Sequence, residues 1–366
     1  MNSKTVNEGL AKISLGDGLF YNPRMQFCRD ISSLWVGTLP QLPVLVDGFC
    51  ASGVRGIRYK LENENVGELK FFDRSKTACE MTEKNLKLNK IKGEVNETNS
   101  HKFFAQEQNF DFCEIDPFGS PAHFIDSLFW ADWKQKQKFI SITATDTAVL
   151  CGAHAQACYK NYGAKPGHNE LCHENGLRIL MAFIAKTASK YEWEFEPQFC
   201  ISHRHYFKIL ARVKKSAKGA VESAKKSMHY SSFCPSCLFH EISAQFPNEL
   251  CPQCGKNMTW AGQMWGSKLF EPQTVESMMK NLAQRKYMDS EVLAKYLQRI
   301  YEESQAGAFY YNLHTICSKY KVKPAKIDDV VSRLKESGFY ACRTTFKDTA
   351  IRTDASIEEI VRKMNE

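Results

Sequence analysis

Short apolar runs alternate with helix-like stretches through the first half of this chain. Each run has the length of a buried strand, and the segment that follows it has helical periodicity. The clearest runs are 44–49, 69–73, 110–115 and 139–144, with a weaker one at 93–96. Regular alternation of this kind predicts an α/β fold, in which a Rossmann-like parallel sheet has helices on both faces.

The length and composition indicate a globular protein of two domains. The chain has 366 residues, of which 43% are hydrophobic and 25% are charged. Near residue 226 the alternation of strand-like and helix-like segments ends, and a cysteine-rich segment follows at 230–260. We therefore expect one domain over 1–226 and a C-terminal domain over 227–366. In the latter, a helix at 326–336 and a β-wing rich in Arg and Thr are typical of a small α+β, winged-helix-like module.

Neither a bilayer-spanning apolar run nor a signal peptide is evident in the sequence. We therefore expect a cytoplasmic protein with no membrane association and no obligate protein partner. The net charge is +8, and the segment 204–226 holds eight Lys and Arg residues against one acid. Such a block can neutralise phosphates, and the alternative is a solvated, mobile loop.

The strand at 110–115 runs into Asp116, Pro117 and Phe118. Pro117 ends strand pairing and biases Asp116 toward an extended conformation, so the carboxylate projects from the strand end. A carboxylate, a proline carbonyl and an aromatic face together suit a planar base that carries an exocyclic amine. The alternative is a plain strand-to-loop turn with a buried Phe.

Acids also end the first two strands. Asp47 opens the small-residue loop 47–53, which lacks the G-x-G-x-x-G spacing of dinucleotide sites and so disfavours NAD and FAD. Asp73 can accept hydrogen bonds from both ribose hydroxyls of an adenosine, which fits S-adenosylmethionine. Arg29 and Arg55 can engage its methionine carboxylate. The alternatives are a helix N-terminal acid for Asp73 and a surface residue for Arg55.

These residues together predict methyl transfer to an amine. Asp116 and the Pro117 carbonyl can accept the hydrogens of the amine, turn its lone pair toward the methyl group, and take up the leaving proton. Phe118 can stack on a base that has been extracted from its helix. This step requires no metal.

Two C-x-x-C pairs stand 13 residues apart within the segment 230–260. Four thiolates at this spacing are typical of a closed, structural zinc site, and the alternative is a redox pair. The zinc knuckle would be an insertion beside the basic segment. Disulfides are not expected, because the sequence shows no secretion signal. The predicted ligands are Cys234, Cys237, Cys251 and Cys254.

Several segments resemble one family, the tRNA (guanine-N2)-dimethyltransferases. They are FYNPRM at 20–25, DPFGSP at 116–121, TATD at 143–146, LCGAH at 150–154, GAKP at 163–166 and HENGLRIL at 173–180. The resemblance runs from about residue 5 into the C-terminal domain. It implies a class I methyltransferase sheet, S-adenosylmethionine as cofactor, and tRNA as the partner, mono- and dimethylated at the N2 atom of guanosine 26.

The resemblance also implies roles for individual residues. It makes Asp116 the catalytic acid/base, and Phe20 and Phe118 the aromatic walls of the guanine pocket. It assigns cofactor contacts to Arg29, Arg55 and Asp73. The chain departs from the family near the adenine amino group, where an Asp-Ala pair is replaced by the sequence at 97–100. There Asn99 or Thr98 would take the place of the acid.

Other readings stay open at this point. The Asp-Pro-Phe motif is close to the motif used on adenine and cytosine amines, so a methyltransferase for another RNA or DNA amine is one alternative. A zinc-stiffened RNA-binding protein with a vestigial sheet is another, although the strand-end acids Asp47, Asp73 and Asp116 argue against it. The sequence does not decide between mono- and dimethyl products, whether a neighbouring guanosine is also modified, or the oligomeric state.

Overall fold

The computed structural model describes residues 4–16, 21–107, 109–130 and 135–366. Phe20, predicted as a wall of the base pocket, lies outside them. The strands are β1 (Lys4–Glu8), β2 (Ala11–Leu15), β3 (Leu42–Gly48), β4 (Val66–Asp73), β5 (Glu94–Glu97), β6 (Phe112–Ile115), β7 (Gln137–Ala144), β8 (Trp193–His203), β9 (Tyr206–Lys215), β10 (His229–Phe233), β11 (His240–Ser243), β12 (Thr259–Met264), β13 (Tyr311–Asn312), β14 (Ala341–Arg343) and β15 (Ala350–Thr353).

A short 3-10 helix spans Pro23–Met25 and precedes the first α-helix. The α-helices are α1 (Gln26–Val36), α2 (Val54–Glu62), α3 (Lys76–Leu88), α4 (Ser100–Gln106), α5 (Ala122–Trp130), α6 (Thr147–Leu150), α7 (Ala155–Tyr162), α8 (Cys172–Lys190), α9 (Ala217–Lys226), α10 (Pro272–Leu282), α11 (Ser290–Glu303), α12 (Leu313–Tyr320), α13 (Ile327–Glu336) and α14 (Ile357–Asn365).

A seven-stranded sheet in the order β5-β4-β3-β6-β7-β9-β8 forms the centre of the molecule. The five strands from β5 to β7 are parallel, and they follow the strand order of a Rossmann-type half-sheet and its extension. The predicted α/β fold is therefore confirmed. We call the edge where these five strands end the carboxyl edge, and the opposite one the amino edge.

The sheet departs from the predicted parallel arrangement at its last two strands. The strand-like stretch 199–213 is part of a hairpin, in which β9 pairs antiparallel with both β7 and β8. The chain reverses at Arg204, whose φ of 50° lies in the left-handed region. Because β9 runs against β7, its first residues lie at the carboxyl edge and Lys214 lies opposite Gln137 at the amino edge.

Helix α2 packs on the sheet at very short range. A Cβ atom on Gly56 would lie 2.5 Å from the ring of Phe71 and 3.2 Å from the Cβ of Asp47. Only glycine permits this approach, because no larger residue fits between the helix and the strands. The close contact brings the side chains of α2 down onto β3 and β6.

The C-terminal part of the chain holds two three-stranded sheets. One has the order β11-β10-β12 and lies next to the paired cysteines, and the other has the order β13-β15-β14 and is accompanied by α12, α13 and α14. The predicted helix at 326–336 and the strand after it are present as α13 and β14. In the described part of the chain, no helix is long and apolar enough to cross a membrane.

Candidate active site

Asp116 stands directly after β6, at the carboxyl edge, between the ends of β3 and β7. The turn that follows is fixed to the end of β7. Gly119 has a φ of 76°, which favours glycine, and its N–H donates to Thr145 Oγ1 at 2.8 Å. Thr145 N in turn donates to the Gly119 carbonyl at 2.9 Å. The turn that carries Phe118 is thus fixed to Thr145 through both the N–H and the carbonyl of Gly119.

Arg55 lies against Asp116. Its Nε and Nη2 atoms donate to the Oδ2 atom of Asp116 at 2.8 and 2.6 Å, while the Asp116 side chain stays 22% exposed. The remaining nitrogen of the guanidinium, Nη1, is buried without a hydrogen-bond partner among the described residues. Arg55 therefore combines an ion pair to the candidate acid/base with a free donor for a second group.

A layer of buried polar groups lies beneath this pair and was missed in the sequence analysis. Glu114 precedes Asp116 by two residues, so both side chains point to the same face of β6. Its carboxylate contacts Lys208 Nζ on β9 and accepts a hydrogen bond from the Tyr59 hydroxyl at 2.9 Å. Lys208 Nζ also donates to Thr143 Oγ1 at 2.9 Å.

The buried layer joins α2 to the far strands of the sheet. Arg55 Nε lies 3.9 Å from Glu114 Oε1, so the chain of charges runs from Asp116 through Arg55 and Glu114 to Lys208. An acid in the middle of a buried apolar strand was the available signal, since buried charges are paired. Lys208 was assigned to the basic phosphate-binding segment, and this assignment is wrong because its side chain is fully buried.

The pKa of Asp116 reflects these neighbours. Burial alone would raise it, but the positive charges of Arg55 and Lys208 outweigh burial and lower the pKa below its ordinary value. Asp116 is therefore ionised over the whole neutral range and can accept hydrogen bonds through both oxygens. The paired Arg55 stays charged, with its pKa raised well above the ordinary value.

Phe118 projects from the turn with 76% of its surface exposed. An exposed aromatic face of this kind can serve as a stacking platform for a planar base. The turn is supported from behind, where Ser120 Oγ lies 2.7 Å from the Tyr162 hydroxyl. Tyr162 donates to the carboxylate of Asp146 at 2.9 Å.

Asp47 and Asp73 hold the loop between β3 and α2. The buried Asp47 accepts a hydrogen bond from Gly56 N at 2.8 Å, and burial, reinforced by the negative charge of Glu114, raises its pKa to about 8. Asp73 is half-buried and accepts from Ser75 N and Ala51 N at 2.9 and 3.2 Å. Asp73 thus stands at the rim of the carboxyl edge, whereas Asp47 lies beneath the loop.

The segment after β5 shows two hydroxyls without partners. Asn99 is exposed and caps α4 by accepting from Lys102 N at 2.9 Å. Within the described ranges, Thr98 Oγ1 and Ser100 Oγ are buried and make no hydrogen bond. Both flank Asn99 next to the end of β4, so this position offers unsatisfied polar groups to a ligand.

Arg29 is engaged in an ion pair that the sequence did not indicate. Its Nε and Nη2 atoms donate to the two carboxylate oxygens of Glu8 at 2.6 and 2.5 Å, and Tyr21 donates to Glu8 at 2.7 Å. Arg58 also contacts Glu8 at 2.8 Å. Arg29 therefore anchors the hairpin of β1 and β2 in this arrangement, and its role toward a cofactor stays a prediction.

The four predicted zinc ligands come together. All four Sγ atoms lie within 4.8 Å of one another, with 3.5 Å between Cys234 and Cys254 and between Cys237 and Cys251. Tetrahedral bonds of about 2.3 Å to zinc require sulfurs about 3.8 Å apart, so the cluster fits the ion. Burial opposes ionisation of Cys234, but the backbone N–H groups of Cys237 and Ser236 lower its pKa to about 7.

Comparison with known proteins gives a consistent result over the whole chain. The sequence model of the N2,N2-dimethylguanosine tRNA methyltransferase family matches residues 2–365. A tRNA (guanine(26)-N(2))-dimethyltransferase of Methanobrevibacter smithii is 34% identical, covering 98% of this chain and 96% of its own. A tRNA (guanine(26)-N(2)/guanine(27)-N(2))-dimethyltransferase of Aquifex aeolicus is 33% identical, covering 99% and 95%.

A solved structure resembles the fold over nearly its full length. It is Trm1 from Pyrococcus horikoshii in complex with S-adenosyl-L-methionine, with a TM-score of 0.88 and 30% sequence identity. The match covers 98% of this chain and 99% of that one. The likeness therefore includes the C-terminal part as well as the central sheet.

Proposed function

The chain belongs to the N2,N2-dimethylguanosine tRNA methyltransferase family, and from this premise we propose that it methylates the exocyclic N2 of guanosine 26 in tRNA, using S-adenosylmethionine. The observation that carries the proposal is the ionised, partly exposed carboxylate of Asp116 at the carboxyl edge, beside the exposed ring of Phe118. Ligands of open α/β sheets bind at this edge.

The residues at the carboxyl edge fit S-adenosylmethionine. Arg55 Nη1 is a buried donor suited to the methionine carboxylate, and Asp73 offers a rim carboxylate to the ribose. Thr98 Oγ1 and Asn99 are the polar groups nearest in sequence to the predicted adenine contact. Arg29 and Asp47 complete the proposed set, Asp47 by fixing the loop through Gly56. When bound, the cofactor supplies an electrophilic methyl group.

Asp116, Pro117 and Phe118 would prepare the amine. The Asp116 carboxylate and the Pro117 carbonyl accept the two N–H groups of guanine N2, which directs the nitrogen lone pair away from the ring plane. Asp116 then takes up a proton from the methylated amine. Phe118 would hold the extruded base by stacking, and the family resemblance assigns a second aromatic wall to Phe20. A second transfer gives the dimethyl product when the pocket admits the first methyl group.

The C-terminal part would contribute tRNA binding and structural stability. We propose a catalytic domain over 1–226 and a tRNA-binding domain over 227–366, stiffened by a zinc ion held by the four-cysteine cluster. The closed ligand set leaves no open position, so the ion would be structural.

Product mapping tests the proposed function directly. A transcribed tRNA with guanosine at position 26 is incubated with the protein and methyl-labelled S-adenosylmethionine, and its nucleosides are separated by mass spectrometry over time. We expect N2-methylguanosine first and N2,N2-dimethylguanosine later, and no product from a transcript with adenosine at that position. Methyl groups on adenine or cytosine amines would instead favour the alternative reading of the Asp-Pro-Phe motif.

A further inference from the structure

A second cluster of metal-ligating side chains lies outside the candidate active site and the four-cysteine cluster. One atom each from Cys151, Cys172 and His173 lies within 4.8 Å of the other two. The Sγ atom of Cys151 is 3.7 Å from the Nδ1 atom of His173. All three residues are partly buried, so the cluster is neither a packed core contact nor an open surface feature.

The spacing matches a tetrahedral metal site. Bonds of about 2.3 Å to sulfur and about 2.1 Å to nitrogen around zinc put the two donor atoms about 3.6 Å apart. Thiolate and imidazole are the donors that zinc prefers in proteins. We propose that Cys151, Cys172 and His173 bind a zinc ion through three protein ligands, with water in the fourth position.

The fold presents these ligands from two converging elements. Cys151 ends the short helix α6, where its N–H donates to Thr147 O at 2.8 Å. Cys172 and His173 open the 19-residue helix α8, whose N-terminus favours a thiolate.

The ion would join α6 to α8, and each of these helices is bonded to a further part of the molecule. The backbone of α6 bonds to Asp146, whose carboxylate holds Tyr162 behind the Asp-Pro-Phe turn. Just before α8, Glu170 accepts hydrogen bonds from Tyr310 and Thr315 of the C-terminal part. A metal between α6 and α8 would therefore fix the support of the base pocket relative to the segment 310–315, without taking part in the reaction.

Metal content tests the proposal on the full-length protein. The protein is equilibrated with excess Zn²⁺, passed through a desalting column, and analysed for zinc per chain by mass spectrometry. We expect two ions per chain for the wild type and one for either Cys172→Ser or His173→Asn. The part-buried Cys317 of α12 belongs to neither cluster, so Cys317→Ser is the matched control and should keep two ions.

A cobalt titration gives a second, spectroscopic readout. Co²⁺ added to metal-free wild-type protein should produce thiolate-to-cobalt absorption that saturates at two equivalents, and at one equivalent in Cys172→Ser. Saturation at one equivalent in the wild type would overturn the proposal. So would two zinc ions retained by Cys172→Ser, or an intact-mass and peptide map showing Cys151 and Cys172 joined as a disulfide.

Discussion

At the residue scale, the carboxylate of Asp116 is kept ionised by cations on the same face of the sheet. Arg55 contacts it directly, and Lys208, which is ion-paired with the buried Glu114, acts from two strands away. Burying the ion pair of Glu114 and Lys208 costs desolvation free energy, so its position beneath Asp116 indicates a role at the candidate site. We interpret Lys208 as a positioning residue that sets the pKa of Asp116 without touching the substrate.

Lys208→Met should shift the pH dependence of methyl transfer. Loss of this charge raises the pKa of Asp116, so the acid limb of kcat/KM should move to higher pH. Lys208→Arg keeps the charge and should restore the limb. Lys214→Met, on the same strand but half-exposed and paired with Glu196, is the matched control. Coincident acid limbs in Lys208→Met and the wild type would refute the role.

Glu8 should govern stability in acid. Burial opposes its ionisation, but Arg29 and Arg58 outweigh it and lower the pKa to about 2. The ionised group therefore stabilises the fold fully above about pH 4.5, and roughly 3 kcal/mol of this is lost as the pH falls to 2. In urea unfolding, Glu8→Gln should lack that loss, whereas the exposed Glu291→Gln should follow the wild type. If the free energy of unfolding of Glu8→Gln fell with decreasing pH in parallel with that of the wild type, the account would be contradicted.

The strand-end residues could be predicted from sequence, and their partners could not. Asp116 and Asp73 were found because strand period and turn residues are local signals. The ion pairs of Glu114 with Lys208 and of Arg29 with Glu8 join residues that are distant in the chain. Their pairing depends on strand register and helix placement, which a single sequence does not encode locally.

At the element scale, α2 depends on its contact with the sheet. Gly56→Ala should destabilise the protein by about 1–3 kcal/mol, because the added methyl would meet the fully buried Phe71 ring. Gly307→Ala is the matched control, since nothing lies within 4 Å of its Cβ position, and should change stability by about 0.5 kcal/mol or less. Equal urea midpoints for the two variants would contradict the close packing.

The four-cysteine cluster should stabilise the adjacent sheet of β10, β11 and β12 against local unfolding. Cys251→Ser should lower bound zinc and increase amide hydrogen exchange in β10, β11 and β12, because a zinc ion held by the cluster would join both knuckles. Exchange in β3, β4 and β6 should stay slow, since those strands belong to the central sheet. Rapid exchange throughout the central sheet would show that the cluster stabilises the whole molecule instead.

The elements themselves were predicted unevenly. Strands β3, β4, β6 and β7 were found from their apolar runs, and α3 from its Ser75 cap, which accepts from Ala78 N. The hairpin of β8 and β9 was missed because its turn contains histidines and an arginine in place of the usual turn residues. The basic segment was weighed as a mobile loop, but it forms β9 and α9.

At the scale of the whole molecule, basic residues of the segment 204–226 lie at opposite edges of the central sheet. Arg204 lies exposed at the tip of the β8–β9 hairpin, on the carboxyl edge with Asp116. Lys214 and Lys215 lie at the amino edge, and Lys218 follows in α9, next to the start of β8 at that edge. Of these four residues, only Arg204 is on the side where we propose that the target base enters.

Arg204→Gln should therefore weaken tRNA binding more than Lys218→Gln. If Arg204 neutralises one phosphate, the slope of log affinity against log salt should decrease by about 1. Lys218→Gln removes the same charge at the far edge and should leave the slope unchanged. Filter binding over a range of salt measures both, and a larger loss in Lys218→Gln would place the RNA on the opposite side.

The central claim is that Asp116 accepts the hydrogens of the target amine, and Asp116→Asn tests it most directly. Single-turnover transfer to a transcribed tRNA should fall by roughly 100-fold or more, because proton acceptance is lost while the side-chain shape is kept. The affinity of Asp116→Asn for S-adenosylmethionine, measured by calorimetry, should stay close to that of the wild type. The control is Asp126→Asn, at an exposed position of α5, which should keep both the wild-type transfer rate and the wild-type affinity. Transfer by Asp116→Asn at nearly the wild-type rate would contradict the claim.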